Sequence, residues 1–322
     1  MPPMFARSPL GDAALAARPW STALVLALAL TALGCGRENG VVGVAERSSP
    51  PGANPTFEDD FRSNVGSWQT RTPLPGASTT FGTSDPDAID QQVAELVFPG
   101  HPEFDSSDGA GADLATQIAT ERRFHFGTYR TRVEFGPCAS NEHVVSAFLG
   151  YFSDGSDQNQ NGITDDVEID LQVVCGTPPY LYLTVFTDYQ LDAGGTERFR
   201  KLSRIVDFSN GDLYDTLAAD QDEFSKTGND PVFSQPSALA RSVYHELGFE
   251  WHATSLRFFL VLDGSERTLW TLTDPARIPV APVTVIYNLW HADSAWYPNT
   301  GSADFPAHDV TLRVDWFRFY AE

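Results

Sequence analysis

The octapeptide Val167-Glu-Ile-Asp-Leu-Gln-Val-Val174 alternates without a break. On a β-strand, Glu168, Asp170 and Gln172 share one face, while Ile169, Leu171 and Val173 share the other. A period of two does not fit a helix, so this segment commits the chain to a sheet with an apolar side. The other side carries three polar groups in file. Such a file is expensive to bury without partners. Two readings stay open: a solvent-facing sheet surface, or the floor of a ligand cleft.

The rest of the chain after Phe57 follows the same grammar. In Thr128-Tyr-Arg-Thr-Arg-Val-Glu-Phe135, Tyr129, Thr131, Val133 and Phe135 share one face and Arg130, Arg132 and Glu134 the other. Residues 144–152 are apolar enough for a strand covered on both sides, and residues 180–186, 283–287 and 312–319 read as further strands. Residues 256–272 read as a hairpin turning at Asp263-Gly264. Only residues 207–242 hint at a helix, near residues 216–225, inside a polar and acidic stretch that reads as an inserted loop. Many strands with frequent turn signals predict an all-β sandwich or barrel, in a single domain over residues 57–322.

The N-terminus stands apart. Arg7 and Arg18 precede an apolar run over residues 21–33, which is shorter than the ~20 residues a bilayer span needs and suits a secretion signal. Its end, Thr31-Ala-Leu-Gly-Cys35, resembles a bacterial lipobox. Residues 1–34 are therefore expected to be a signal peptide, with Cys35 lipidated; the alternative is a freely secreted protein. Residues 35–56 read as a flexible tether. Cys138 and Cys175 are then an even pair in an exported chain, either a disulfide or two buried thiols. The net charge of −22 repels nucleic acid and anionic polymers and leaves neutral partners open. Membrane contact is expected only through the lipid, and the chain is expected to be a monomer.

Several segments together resemble glycoside hydrolase family 16, which includes the bacterial lichenases and laminarinases. The acid strand of that family resembles Glu168-Ile-Asp-Leu-Gln172. Phe57-Glu-Asp-Asp-Phe61 with Trp68 resembles its opening strand, and Phe126-Gly-Thr-Tyr-Arg-Thr-Arg-Val-Glu-Phe135 and Val144-Val-Ser-Ala-Phe148 resemble the two strands before the acids. Tyr244-His-Glu-Leu-Gly-Phe-Glu-Trp251 with Leu262-Asp-Gly264, then Asn288-Leu-Trp290 with Trp296, then Asp315-Trp316, follow in the family's order. Each match is short; their shared order across residues 57–322 carries the resemblance. It implies a concanavalin A-like β-sandwich jelly roll, with two curved antiparallel sheets, a concave cleft and a neutral polysaccharide as partner.

The resemblance also implies roles. Glu168 becomes the nucleophile of a retaining β-glucan hydrolase, and Asp170 the acid that tunes it. Gln172 falls on the acid/base position, where an amide has no proton to give at neutral pH. Loss of general acid catalysis costs ~10²–10⁴ in rate. Asp166 stands where the family usually has a tryptophan. Asn288, Trp290 and Trp296 are the expected sugar contacts, with core packing as the alternative for the two rings. An active hydrolase and a catalytically impaired glycan-binding or structural relative both remain open.

Directly before the acid strand, Asp157, Asn159, Asn161, Gly162, Asp165 and Glu168 are spaced like a calcium loop. Asp157, Asn159, Asn161 and Asp165 are the expected ligands of a structural Ca2+, and no organic cofactor is expected. The alternative is a polar hairpin held by Asn turns. His245, Glu246 and His252 lack zinc-protease spacing and read as structural.

Overall fold

The computed structural model describes residues 54–322 apart from residues 65, 101–113, 138, 140–141, 176–178, 192–196, 229, 234–242, 293–294 and 299–301. The expected signal peptide, most of the tether, Cys35 and Cys138 lie outside the described residues.

Among the described residues seventeen strands run in chain order: β1 (Phe57–Asp59), β2 (Trp68–Arg71), β3 (Ser78–Ser84), β4 (Gln92–Phe98), β5 (Leu114–Phe124), β6 (Gly127–Phe135), β7 (Val144–Phe152), β8 (Val167–Val174), β9 (Tyr180–Leu191), β10 (Glu197–Asp207), β11 (Leu213–Thr216), β12 (Phe224–Thr227), β13 (Tyr244–His252), β14 (Ser255–Leu262), β15 (Ser265–Leu272), β16 (Val283–His291) and β17 (Val310–Ala321). They build two sheets. One has the order β15-β14-β13-β6-β17-β4-β3, with β1 added to β17; the other has the order β12-β11-β10-β9-β8-β7-β16-β5-β2. The chain is an all-β sandwich of the jelly-roll kind. Among the described residues the helical structure is a single short turn, Pro275–Arg277.

Alternation explains how the sheets meet. Ile169, Leu171 and Val173 of β8 are buried between the sheets with Leu183 and Val185 of β9, Phe148 of β7 and Leu289 of β16. Tyr129, Val133 and Phe135 come from β6, and Phe249 and Trp251 from β13, to meet them from the other side. The Tyr129 and Phe249 rings stack at 4.4 Å, and Phe148 stacks on Tyr287 at 5.1 Å. Gly248 of β13 lies where the sheet leaves no room for a side chain: a Cβ there would meet the Tyr129 carbonyl oxygen at 1.9 Å.

The outer face of the eight-stranded sheet carries a file of charged side chains joined in ion pairs. Arg130 Nε donates to Glu246 at 2.8 Å. Arg132 pairs with Asp315, Arg313 with Glu95 at 2.9 Å and Glu134 at 3.3 Å, and Arg318 with Asp60 at 3.1 Å. The polar side of β6 expected from the sequence is thus a file of cross-strand ion pairs.

The stretch over residues 207–242 differs from expectation. Its described part forms the hairpin β11–β12, which extends the nine-stranded sheet at its edge. The helical spacing near residues 216–225 had no apolar stripe wide enough to pack, and the β10 edge offered backbone partners instead.

Candidate active site

β8 sits at the centre of the nine-stranded sheet, so its outer face is bordered on both sides. On β7, Tyr151, Leu149 and Ala147 stand opposite Glu168, Asp170 and Gln172. On β9 the opposite residues are Phe186, Thr184 and Tyr182. One strand further out, Asn288 of β16 is level with Ala147 and Trp290 with Val145. On the far side, Lys201 of β10 is level with Phe186, and Ser203 with Thr184. Directly paired residues in antiparallel strands share a face. Register therefore gathers Glu168, Asp170, Gln172, Asn288, Trp290, Tyr182 and Lys201 on one surface.

That surface is covered rather than open. Glu168 is 2% exposed, Asp170 0% and Gln172 1%. Glu168 Oε2, both Asp170 oxygens, both Gln172 amide atoms, Asn288 Oδ1 and Trp290 Nε1 are buried without a hydrogen-bond partner. An unpaired buried polar group costs ~1–3 kcal/mol. The contrast with the ion-paired face of the other sheet is the decisive feature of the molecule. A purely structural strand would carry Val or Thr at these positions.

Burial also sets the charge state. Glu168 is held well above the usual carboxylate range by burial, and the neighbouring Asp170 and Asp166 charges push it further. Burial pushes Asp170 up to about 8, with the Glu168 carboxyl and the Lys201 charge pulling the other way. The two carboxyls titrate as a pair. Asp166 lies at the entry to β8 and is half-buried. Burial pushes it up to about 6, while the hydroxyls of Tyr151 and Ser153 hold it down.

These shifts make stability depend on pH with a definite sign. Between about pH 4 and pH 8, unfolded Asp170 has lost its proton while the folded form keeps it. Stability from this group is complete below pH 4 and falls by up to ~1.4 kcal/mol per pH unit as the pH rises through the window. The Asp170→Asn protein is therefore expected to melt above the wild type at pH 8, with the gap closing towards pH 4. Parallel melting curves for the two proteins across this range would contradict the assignment.

The segment over residues 207–242 does send a carboxylate towards this face. Asp222 pairs with Lys201, which is buried and lies over the Phe199 ring at 4.6 Å. Asp220 accepts from the Lys201 backbone N–H at 2.8 Å and pairs with Arg277. Both carboxylates are thus engaged in holding the hairpin down.

Of the expected sugar contacts, Trp290 is packed: its ring lies 5.3 Å from Trp296, which lies 5.1 Å from Tyr182. The Tyr182 hydroxyl donates to the Tyr297 carbonyl, and Phe224 stacks on Tyr297 at 5.7 Å. Trp296 is half-buried, and Tyr297, at 42% exposure, presents the open ring of the cluster. Trp290 thus serves as packing with a buried indole N–H. Sequence reasoning did not single out Lys201, Tyr151 or Tyr182, because only the pairing of distant strands brings them beside the acids.

The acidic loop before β8 closes on itself. Asp157 accepts from the backbone N–H groups of Asn161 at 3.0 Å and Gly162 at 2.8 Å. Asn161 Oδ1 accepts from Ile163 N at 2.8 Å. Asn159 Nδ2 donates to Asp165 at 2.7 Å and to buried Asp188 at 2.6 Å. Asp157, Asn159, Asn161 and Asp165, the expected Ca2+ ligands, are thus drawn together by hydrogen bonds within one loop. Among the described residues no group of three or more His, Cys, Asp or Glu side chains is placed to hold a metal. Glu168 points away from this loop onto the sheet face. Cys175, buried just after β8, is disulfide-bonded; its expected partner Cys138 lies outside the described residues.

No family model matches the chain, and no curated protein matches it. Solved structures do. A Bacillus licheniformis beta-glucanase is similar at 15% identity over 84% of this chain and 99% of its own, with a TM-score of 0.46. A lichenase derived from a mouse hindgut metagenome is similar at 16% identity over 83% and 99%, with a TM-score of 0.45. The laminarinase catalytic domain from Thermotoga maritima is similar at 13% identity over 84% and 98%, with a TM-score of 0.48.

Proposed function

We propose that the protein binds a neutral β-glucan on the outer face of the nine-stranded sheet and cleaves it with retention at the anomeric carbon. Glu168 is the nucleophile, and Asp170 stands beside it on the same face of β8 and titrates with it as a pair. The observation that carries this reading is the buried, unpartnered file Glu168-Asp170-Gln172 with Asn288 beside it. A polysaccharide supplies the hydroxyls that such a file lacks. The strongly negative chain favours a neutral ligand over an anionic one. The resemblance of the β8 segment and its neighbours to glycoside hydrolase family 16 supports the same chemistry.

A second reading, glycan binding without turnover, is favoured by one specific residue. Gln172 occupies the position where that family keeps its proton donor. The two readings separate in a single assay: release of reducing ends from laminarin or mixed-linkage glucan by the wild type and by Glu168→Gln. Turnover that depends on Glu168 supports the hydrolase; binding by calorimetry with no turnover supports the binding protein.

A further inference from the structure

The row of side chains that begins at Gln172 continues well beyond the acid strand. Gln172 pairs with Tyr182 on β9, Tyr182 with Ile205 on β10, Ile205 with Tyr214 on β11, and Tyr214 with Lys226 on β12. Directly paired residues share a face, so this row carries the outer face of the nine-stranded sheet across four strand spacings, ~19 Å, to its edge. Phe224 of β12, opposite Thr216, lies on the same face.

The edge is built differently from the middle. Gln172, Tyr182 and Ile205 are buried, whereas Tyr214 and Phe224 are half-buried and Tyr297 is open. Among the described residues four large hydrophobic side chains are exposed, and Tyr297, at 42%, is the one aromatic of the four. This ring is held in place. It stands parallel to Phe224, with 8° between the planes at 5.7 Å, and Tyr214 meets it edge-on at 5.9 Å. The Tyr182 hydroxyl donates to the Tyr297 carbonyl, which ties the exposed ring to the residue beside Gln172. Polar groups surround it. Lys226 Nζ donates to Asp212 at 2.5 Å. Burial, then the Asp207 and Asp212 charges, raise the Tyr214 hydroxyl above its ordinary range, so it keeps its proton and can donate. A fixed ring with donors and acceptors at its rim suits a sugar, whose C–H face packs on the ring while its hydroxyls bond to the rim. The nearby carboxylates disfavour an anionic ligand.

We propose that Tyr297, braced by Phe224 and Tyr214, is a distal glycan subsite that holds a neutral sugar several units along the chain from the one at Glu168. This rests on the reading of the outer face as a glycan surface. The β11–β12 hairpin then has a function: it widens the sheet and supports the platform. A long glucan that touches both places gains the second contact without a second association cost. The site therefore selects for chain length, and short oligosaccharides at the Glu168 end do not feel Tyr297.

The test uses a disaccharide and a heptasaccharide of thio-linked β-glucan, which resist cleavage, in calorimetry with the full chain. The wild type is expected to bind the heptasaccharide more tightly. Tyr297→Leu is expected to weaken the heptasaccharide ~10-fold, with the loss confined to the longer ligand, and Tyr297→Phe to restore it. A readout on the wild type covers a Tyr297→Leu protein that does not fold: ring iodination of Tyr297, mapped by mass spectrometry, should be slowed by the heptasaccharide and not by the disaccharide. Three results overturn the proposal: undiminished heptasaccharide affinity in Tyr297→Leu, an equal loss on both lengths, or iodination of Tyr297 indifferent to the heptasaccharide. A wild type that binds neither ligand is a separate outcome, and it overturns the glycan reading together with this one.

Discussion

Glu168→Gln is expected to abolish glucan cleavage while leaving the fold at least as stable as the wild type. An amide has the size of the carboxylate but cannot form the covalent bond to the sugar. Removing one member of a catalytic unit typically costs on the order of 10⁴–10⁶ in turnover. Stability should move the other way. The Glu168 carboxyl is buried beside Asp170 and Asp166, with no opposite charge in an ion pair with it among the described residues. A neutral amide removes that repulsion and the desolvation cost of a charge. The check is reducing-end release from laminarin alongside a thermal melt at pH 8. A variant that still cuts glucan at the wild-type rate sinks the assignment. A variant that fails to fold shows that the pair is structural.

The largest effect on stability is expected at Trp251→Ala. Trp251 is fully buried on β13, with edge contacts to His125 at 5.3 Å and Phe126 at 5.2 Å. Its indole Nε1 donates to the Pro279 carbonyl at 2.9 Å. Truncation leaves a cavity, at ~3–5 kcal/mol for a large aromatic. It also strips a buried carbonyl of its donor, for ~1–3 kcal/mol more. In a domain of this size such a loss lowers the melting temperature by roughly 10 °C or more. A denaturant titration with unchanged m-value and a midpoint shift of this order is the expected result. A shift below ~1 kcal/mol would show that the core repacks around the loss.

Much of the sandwich is legible in the sequence because alternation is a local signal. The faces of β6 and β8 follow from adjacent residues. Arg130, Arg132 and Glu134 lie on the side opposite Tyr129 and Val133 as their spacing requires, and they find their ion-pair partners there. β10 carries no such local signal, because Arg198, Arg200, Lys201 and Arg204 interrupt its apolar pattern. Lys201 is covered by Asp222, Arg204 is paired with Asp215 at 2.9 Å, and Arg198 donates to the Gly162 carbonyl at 3.0 Å. The β11–β12 hairpin looked helical because its strands bury little and carry no strong period.

The site was only half legible. The polar file on β8 could be read as a file, yet its burial could not, because the cover comes from residues far away in the chain. Tyr182 beside Gln172, Lys201 near Asp170 and Asn288 level with Ala147 all depend on strand register. Trp290 illustrates the limit: its type suggests a sugar platform, but its partner rings Trp296 and Tyr182 enclose it. The loop over residues 157–165 has the oxygen spacing of a cation site. Its Asp and Asn side chains are equally suited to backbone turns, and Asp157 and Asn161 accept backbone N–H groups within the loop.

The fate of Glu168 during turnover is the most direct test of its role as nucleophile. The protein would be incubated with an activated fluoro-sugar that slows the second step, then digested and mapped by mass spectrometry. The account predicts one sugar on the peptide carrying Glu168, attached at that carboxyl and absent from Glu168→Gln. A sugar attached to Asp170, or substrate consumed with no adduct on any peptide, would contradict it.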